Sequence, residues 1–522
     1  MEFSNFSSPL PSTCSAQSIP IPSLYGAEIL SLSASLISNY SATVPDYFYL
    51  NHPSISVQNA TFCNITVTYT HPGQNDTISV EVWLPLDTWN GRMQAIGGGG
   101  WIAGRSPFQY QGMSGAIGEG YATITTDAGL GSASDPTNWA LLSPGNLNLY
   151  NLQNLASVSL NDAASIGKSL ITNFYGQPPQ YSYWNGCSQG GRQGLMLAQQ
   201  YPTAYDGIVA SAPAINWGEM IVTLFWPQLV MNIMNIYPHG CELKQLTSAA
   251  VSACDGNDGI LDRIISDVDS CHFSPFSLIG TTFNCSGAEM QISEAAAVVA
   301  NTTWAGAHSS SGNFLWYGPE YGSVLGDENI YTGIAATECF SNNSCVGKPS
   351  SLVTQWIQLF VEKNPSFNYN NLTHSDFDRI YHASVQQFSS IIGTNDPDLS
   401  EFQATGGKIL AFHGLADQII PPKGTRHYYD AVTAVTPDVH DFYRVFEVPG
   451  LGHCYGGNGG QPTAVFDAMR AWVENGTVPN TLPISFRDAN GTENHRILCP
   501  YPQKARFDGT GNPVDAESFK CA

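Results

Sequence analysis

Short β-rich runs separated by turn-rich stretches recur along the chain, at Val80 to Pro85, Arg92 to Ile96, Tyr121 to Thr126, Gly207 to Ala210, Lys408 to Phe412 and Arg444 to Val448. Helical spacing appears between them, as in Leu155 to Ile171, where Leu155, Val158, Ala163 and Ile166 form one inward face. Tyr181 to Asn185 reads as a further strand, and Gly191 to Gln200 as a helix that stops before Pro202. Alternating strands and helices predict an α/β fold, with a mostly parallel sheet covered on its faces.

Between about Asn216 and Ser400 this alternation is lost, and the stretch holds six cysteines, at 241, 254, 271, 285, 339 and 345. It reads as an inserted cap. The expected organisation is a first catalytic part over 1–215, a cap over 216–400 and a second catalytic part over 401–522. The apolar run Ile221 to Tyr237 is interrupted by Pro227 and dotted with asparagines, which disqualifies it as a membrane span. A chain of 522 residues is too long for one simple core.

Composition narrows the function classes. With 43% hydrophobic and 12% charged residues the chain is globular and loop-rich, and its net charge of −23 argues against nucleic acid and anionic membrane surfaces as partners. Twelve cysteines and eleven N-x-S/T sequons, among them Asn59, Asn64, Asn75, Asn301, Asn371 and Asn475, indicate the secretory pathway. Met1-Glu2-Phe3 is expected to stand in place of a removed signal peptide or to be an added start, leaving a mature extracellular protein without a membrane anchor.

The chemistry concentrates in three places. Gly186-Cys187-Ser188-Gln189-Gly190 is a G-x-S-x-G elbow between the strand at 181–185 and the helix at 191–200; small flanking residues let a sharp turn expose the serine oxygen. A serine hydroxyl is a poor nucleophile at neutral pH, so it needs a histidine to take its proton and a carboxylate to orient that histidine. Asp417 follows the strand at 408–412, and His453 follows the strand at 444–448. Ser188, Asp417, His453 is the chain order of an α/β-hydrolase. His413, within a strand end four residues before the aspartate, reads as structural, and His427 and His440 have no supporting context.

Charge that develops in the transition state needs donors, expected from the backbone amide of Gln189 and from the run Gly97-Gly98-Gly99-Gly100, with Gly99 chosen within it. The alternative for that run is a plain flexible turn. Cys187 and Cys454 adjoin the serine and the histidine, so one disulfide between them would tie nucleophile to base.

The paired Cys187-Ser188 and His453-Cys454 with Asp417 resemble the CS-D-HC motif of the tannase and feruloyl esterase family. The likeness extends over nearly the whole chain, through Trp89-Asn90-Gly91-Arg92, the glycine run, the elbow, a cap and both late loops. It implies an α/β-hydrolase fold with a large inserted cap, and a bond between Cys187 and Cys454 that contributes up to ~5 kcal/mol by chain entropy. It also favours Cys254 with Cys271, Cys499 with Cys521 and Cys14 with Cys63. The other four cysteines allow three pairings, of which 241–285 with 339–345 is preferred.

Cys254-Asp255-Gly256-Asn257-Asp258-Gly259-Ile260-Leu261-Asp262-Arg263-Ile264 crowds carboxylates into a glycine-bearing loop. By spacing alone it reads equally as a calcium loop or an Asx-rich turn. The resemblance implies structural calcium, held by the side chains of Asp255, Asp258 and Asp262 and the carbonyls of Ile260 and Ile264, with Arg263 where a glycine is common. No organic cofactor is expected.

The function expected is a secreted serine carboxylesterase for small phenolic esters or plant polymer-linked esters, gallates and hydroxycinnamates being inseparable at this level. The alternatives are an esterase of the same fold acting on other aromatic esters and a non-catalytic hydrolase-like binding protein. Trp217, Phe225, Trp226, Met231 and Met234 of the cap are candidates for packing on the phenolic ring, against the ordinary alternative of core.

Overall fold

The computed structural model describes residues 13–326, 333–341, 344–488 and 490–522. Met1-Glu2-Phe3 and the sequons at Asn5 and Asn342 lie outside the described residues. Nine strands form the central sheet: β1 (Glu28–Val44), β2 (Ile55–Thr70), β3 (Ile78–Pro85), β4 (Arg92–Ile96), β5 (Ala122–Thr126), β6 (Tyr181–Cys187), β7 (Gly207–Ser211), β8 (Lys408–Gly414) and β9 (Tyr443–Val448). They lie side by side in the order β1-β2-β3-β5-β4-β6-β7-β8-β9. The first strands pair antiparallel, and from β5 onward every pairing is parallel. Strands buried on both faces need apolar residues throughout, and β5 and β7 are wholly buried. The long β1–β2 hairpin at the sheet edge was not among the expected strands. Its polar Ser and Thr positions alternate with apolar ones, and register shifts near Ile29, Ile37 and Tyr40 twist it.

The helix expected over 155–171 is two helices. The chain breaks at Ser157, between Leu149–Ala156 and Val158–Tyr175. The carbonyls of Leu155 and Ala156 accept the Arg192 guanidinium, at 3.0 and 2.9 Å, in place of a further helical turn. The break changes the phase of the inward face: Leu155, Ala163 and Ile166 are buried, Val158 is half-buried and Leu160 occupies the core.

Among the described residues, no strand of the central sheet comes from the segment between β7 and β8. Its helices include Trp217–Thr223, Trp226–Met234, Gly240–Cys254, Glu294–Ala305 and His374–Ile392, with three two-stranded ribbons among them. The run at 221–237 is divided at Phe225 between two short helices. Among the described residues no helix is long and apolar enough to cross a membrane. One hydrophobic core belongs to this segment alone, around Leu243, Leu246, Val299 and Trp304. A second joins it to the sheet, stacking Trp217, Trp356 and Phe360 around Trp101 at centroid distances of 4.9–6.1 Å.

All twelve cysteines are bonded, as 14–63, 187–454, 241–285, 254–271, 339–345 and 499–521, the pairings expected from the sequence. A sheet of this order, with a serine at the turn from its central β6 into a helix, is the α/β-hydrolase architecture.

Candidate active site

The elbow is built by the absence of side chains. Any Cβ on Gly186 would overlap the backbone of Gly190, one on Gly190 would crowd Gly97 and Gly98, and one on Gly191 would press on the Ser211 carbonyl. Close packing of β6, the helix Gln189–Gln200 and the glycine run leaves Ser188 in a left-handed conformation, φ 62° and ψ −123°. Such a conformation costs on the order of 1–3 kcal/mol and persists only where the surroundings fix it. Here they do: the Ser188 N–H donates to the Ser211 carbonyl at 3.0 Å, and the Ser188 carbonyl accepts the N–H of Arg192 and of Ala214.

Asp417 and His453 lie in the loops after β8 and β9, which touch backbone to backbone because Gly414 has no Cβ to meet Leu451 and Gly452. Asp417 is fully buried. Its Oδ1 accepts the N–H groups of Ile419 and Ile420, both at 2.8 Å, while its Oδ2 lies 2.7 Å from His453 Nδ1 and 3.1 Å from His413 Nε2. Burial alone would raise the pKa of this carboxyl; the charge of His453 and the hydrogen bonds of His413 and His453 outweigh it and hold the group well below the usual carboxylate range. With Nδ1–H donated to Asp417, the imidazole keeps Nε2 as its free basic nitrogen. The His453 N–H donates to Gln418 Oε1 at 3.2 Å.

The Cys187–Cys454 disulfide, with its Cα atoms 6.0 Å apart, joins the two catalytic candidates' neighbours. Ser188 and His453 line one cleft of about 300 Å³, together with Gly97, Gly98 and Gly99. Its apolar walls are Phe48, Tyr49, Phe108 and Tyr455, and no described residue of 216–400 lines it. The cap stretch expected to face a ring is core instead: Trp217, Phe225, Trp226 and Met231 are buried, and Met234 is half-buried against the cap's own core. The physical reason is that those rings fill the shared core around Trp101, Trp356 and Phe377.

Gln189 is the first residue of its helix, so its N–H has no intrahelical acceptor and points out of a positive helix end. In the glycine run three N–H groups are engaged: Gly97 donates to the Asn185 carbonyl, Gly98 to Gln193 Oε1 and Gly99 to the Ile102 carbonyl at 3.0 Å. Gly99 is therefore not a free donor here, and a second bond from it would be shared with Ile102.

Sequence reading missed the wall residues and the supports. Tyr47 and Phe48 lie tilted against each other at 4.7 Å, Phe48 meets Phe108 edge-on at 5.4 Å, and Tyr47 lies 6.0 Å from Tyr455. The aromatic run Tyr47-Phe48-Tyr49 was the available signal. His413, rightly kept from the serine, is a partner of Asp417, with its Nδ1 2.8 Å from Thr425 Oγ1. The loop carrying Phe48 is fixed to the elbow strand, since Asn185 donates to the Leu50 carbonyl at 3.1 Å and its side chain bonds Asn51.

In the aspartate loop, Asp255 Oδ1 accepts the N–H groups of Asp262, Arg263 and Ile264 at 2.9–3.2 Å. Asp258 and Asp262, with Ile264, border a small cavity of about 50 Å³. Burial and then the neighbouring Asp258 carboxylate push Asp262 up to about 6, against the pull of Arg496 at 3.3 Å. Oxygen donors only, and carboxylates that destabilise one another's charge, suit a hard cation. Arg263 takes the left-handed conformation, φ 66°, that a glycine would adopt freely, at a cost on the order of 1 kcal/mol. Among the described residues, the cluster of three ligand atoms within 4.8 Å of one another is His239, Cys241 and Cys285, whose sulfurs are bonded to each other and offer no thiolate. The three loop carboxylates are more widely spaced, so a coordination sphere needs the carbonyls of Ile260 and Ile264 as well.

Comparison with known proteins places the chain in a family. The profile described as tannase and feruloyl esterase matches residues 63–522. A probable feruloyl esterase of Arthroderma benhamiae is 38% identical over 97% of this chain and 93% of its own length, and the tannase of Aspergillus oryzae is 28% identical over 88% and 84%. Among solved structures, the tannin acyl hydrolase from Aspergillus niger superposes with a TM-score of 0.87 at 26% identity, covering 99% of this chain and 96% of that one. Feruloyl esterase B from Aspergillus oryzae gives 0.77 at 26% identity, over 96% and 97%. The chain belongs to the tannase and feruloyl esterase family of carboxylic ester hydrolases.

Proposed function

We propose that this chain is a secreted serine esterase that hydrolyses gallate or hydroxycinnamate esters through Ser188, His453 and Asp417. His453 Nε2 takes the Ser188 hydroxyl proton as Oγ attacks the ester carbonyl. The tetrahedral oxyanion is met by the N–H of Gln189, with Gly99 contributing a shared proton. Collapse expels the alcohol, which leaves with the proton from His453, and an acyl-serine remains. Water enters, gives its proton to His453 and attacks the acyl carbon; the acid departs and Ser188 recovers its proton. Asp417 holds the Nδ1–H tautomer and stabilises the imidazolium in both halves.

The observation that supports this reading is the 2.7 Å Asp417–His453 bond, with Ser188 and His453 lining one aromatic-walled cleft and a disulfide joining their neighbours. Phe48, Phe108 and Tyr455 replace the cap stretch as the candidates for contact with a planar acyl ring. Residues 216–400 form a cap, within which Asp255, Asp258, Asp262, Ile260 and Ile264 hold calcium in a structural role. Exposed sequon asparagines such as Asn59, Asn75, Asn301, Asn371 and Asn475 carry glycans in the extracellular protein.

Reaction of the folded protein with a fluorophosphonate, followed by turnover of methyl gallate, methyl ferulate and methyl p-coumarate in parallel, tests the proposal. An adduct on Ser188 and turnover of at least one ester are expected. A folded protein that forms no adduct is a binding scaffold, and the proposal fails.

A further inference from the structure

Two more cavities, of about 210 and 430 Å³, adjoin one another, sharing Val251, Arg263, Gly322, Val324 and Asn458. The smaller one is also lined by Gln418, Gly452 and Tyr455. Tyr455 is a wall of the catalytic cleft as well, so the cleft and the smaller cavity adjoin at that side chain, and a path from Ser188 to Arg263 would run across it. His453 protonates the leaving oxygen, and whatever is attached to that oxygen extends past the imidazole.

The lining of this path is unusual for the chain. Aspartate and glutamate number 42 against 19 lysines and arginines, yet no acid lines either outer cavity among the described residues. Arg263 borders both, is exposed, and holds its place from a left-handed backbone that disfavours any residue with a Cβ. The neighbouring Asp262 carboxylate is turned to Arg496 instead. An arginine held at a conformational cost over an acid-free groove is a site for a carboxylate.

We infer that this groove receives the alcohol part of the substrate and that Arg263 pairs with a carboxylate on it, so that the preferred alcohol is an acidic sugar, a uronic acid, over its neutral counterpart. The inference rests on the esterase reading and names the substrate class at its leaving-group side.

The test compares feruloyl glucuronic acid with feruloyl glucose, which differ only in the sugar carboxylate. The wild-type protein at low salt is expected to favour the acid in kcat/KM by about tenfold, the usual scale of one charge-assisted hydrogen bond. Arg263→Gly, which suits the left-handed backbone, should bring that ratio to about one, and Arg263→Lys should retain part of it. The same two ligands titrated calorimetrically into Ser188→Ala protein, with and without Arg263→Gly, read the preference without turnover. A ratio near one in the wild type, or a ratio unchanged by Arg263→Gly, overturns the inference. Failure to cleave any ester while the binding preference persists overturns the esterase reading and the leaving-group role with it, and leaves only carboxylate binding at Arg263.

Discussion

Replacing Cys187 and Cys454 together by alanine separates the two roles of their bond. It closes a loop of 267 residues, for which the chain-entropy relation gives about 5–6 kcal/mol as an upper figure. Both cysteines are buried beside Ala212, Leu50 and Tyr455, so the double substitution also leaves a small void. A marked fall in thermal stability follows on either ground. The kinetic effect is more telling. Of the cleft walls, Phe48, Phe108 and the glycine run are independent of this bond while Tyr455 packs against it, so KM should change less than kcat. The distance between Ser188 and His453, by contrast, is set by two loops that the bond joins. A displacement of about 1 Å there corresponds to roughly a hundredfold in rate, or ~2.7 kcal/mol. The assay is steady-state turnover of a methyl ester, run well below the variant's unfolding temperature. A kcat within twofold of the wild type refutes the reasoning and makes the bond a purely structural staple.

Asp417→Asn should keep the fold and lower kcat by about 10³–10⁴, because an amide facing Nδ1 favours the tautomer whose Nε2 already carries the proton; a proton spectrum of His453 beside the kinetics checks the cause. Chelation should lower the melting temperature and leave kcat at 25 °C nearly unchanged if the Asp255 loop holds calcium, and elemental analysis of the native protein should find about one ion per chain. Asp267 contacts Lys504 at 2.7 Å and Arg506 at 3.0 Å; although burial raises its pKa, these partners and Ser270 bring it down to about 2. A depressed carboxyl stabilises the fold above its ordinary range and loses that contribution as pH falls from about 4 through about 2, so Asp267→Asn should cost ~1 kcal/mol at pH 6, allowing for solvent around the cations, and only a small fraction of that near pH 2. Denaturant melts at the two pH values decide it.

What was legible in the sequence depended on local rules. The elbow, the parallel strands and the cysteine pairs could be read because tight turns, buried strands and a motif each leave a signature within a few residues. The β1–β2 hairpin escaped because its serines and threonines blur the alternation on an edge. The break at Ser157 escaped because its cause, Arg192, arrives from a helix 35 residues onward. The cap stretch was misjudged for a related reason. Trp217 and Phe225 have the composition of a ring-binding surface, and only the tertiary arrangement shows that Trp101 and Trp356 have claimed the first and Tyr369 the second. Gly99 illustrates the same limit at one atom, since its N–H is engaged by a residue only three positions away.

Trp101 stands immediately after the glycine run, and its indole is the hub on which the inserted segment is stacked. Such an insertion is no hinged flap that opens by itself; any tilt of its helices is felt one residue from the loop beneath the reacting carbonyl. Grafting this segment from one relative to another would therefore disturb the glycine loop even though no described residue of 216–400 lines the cleft.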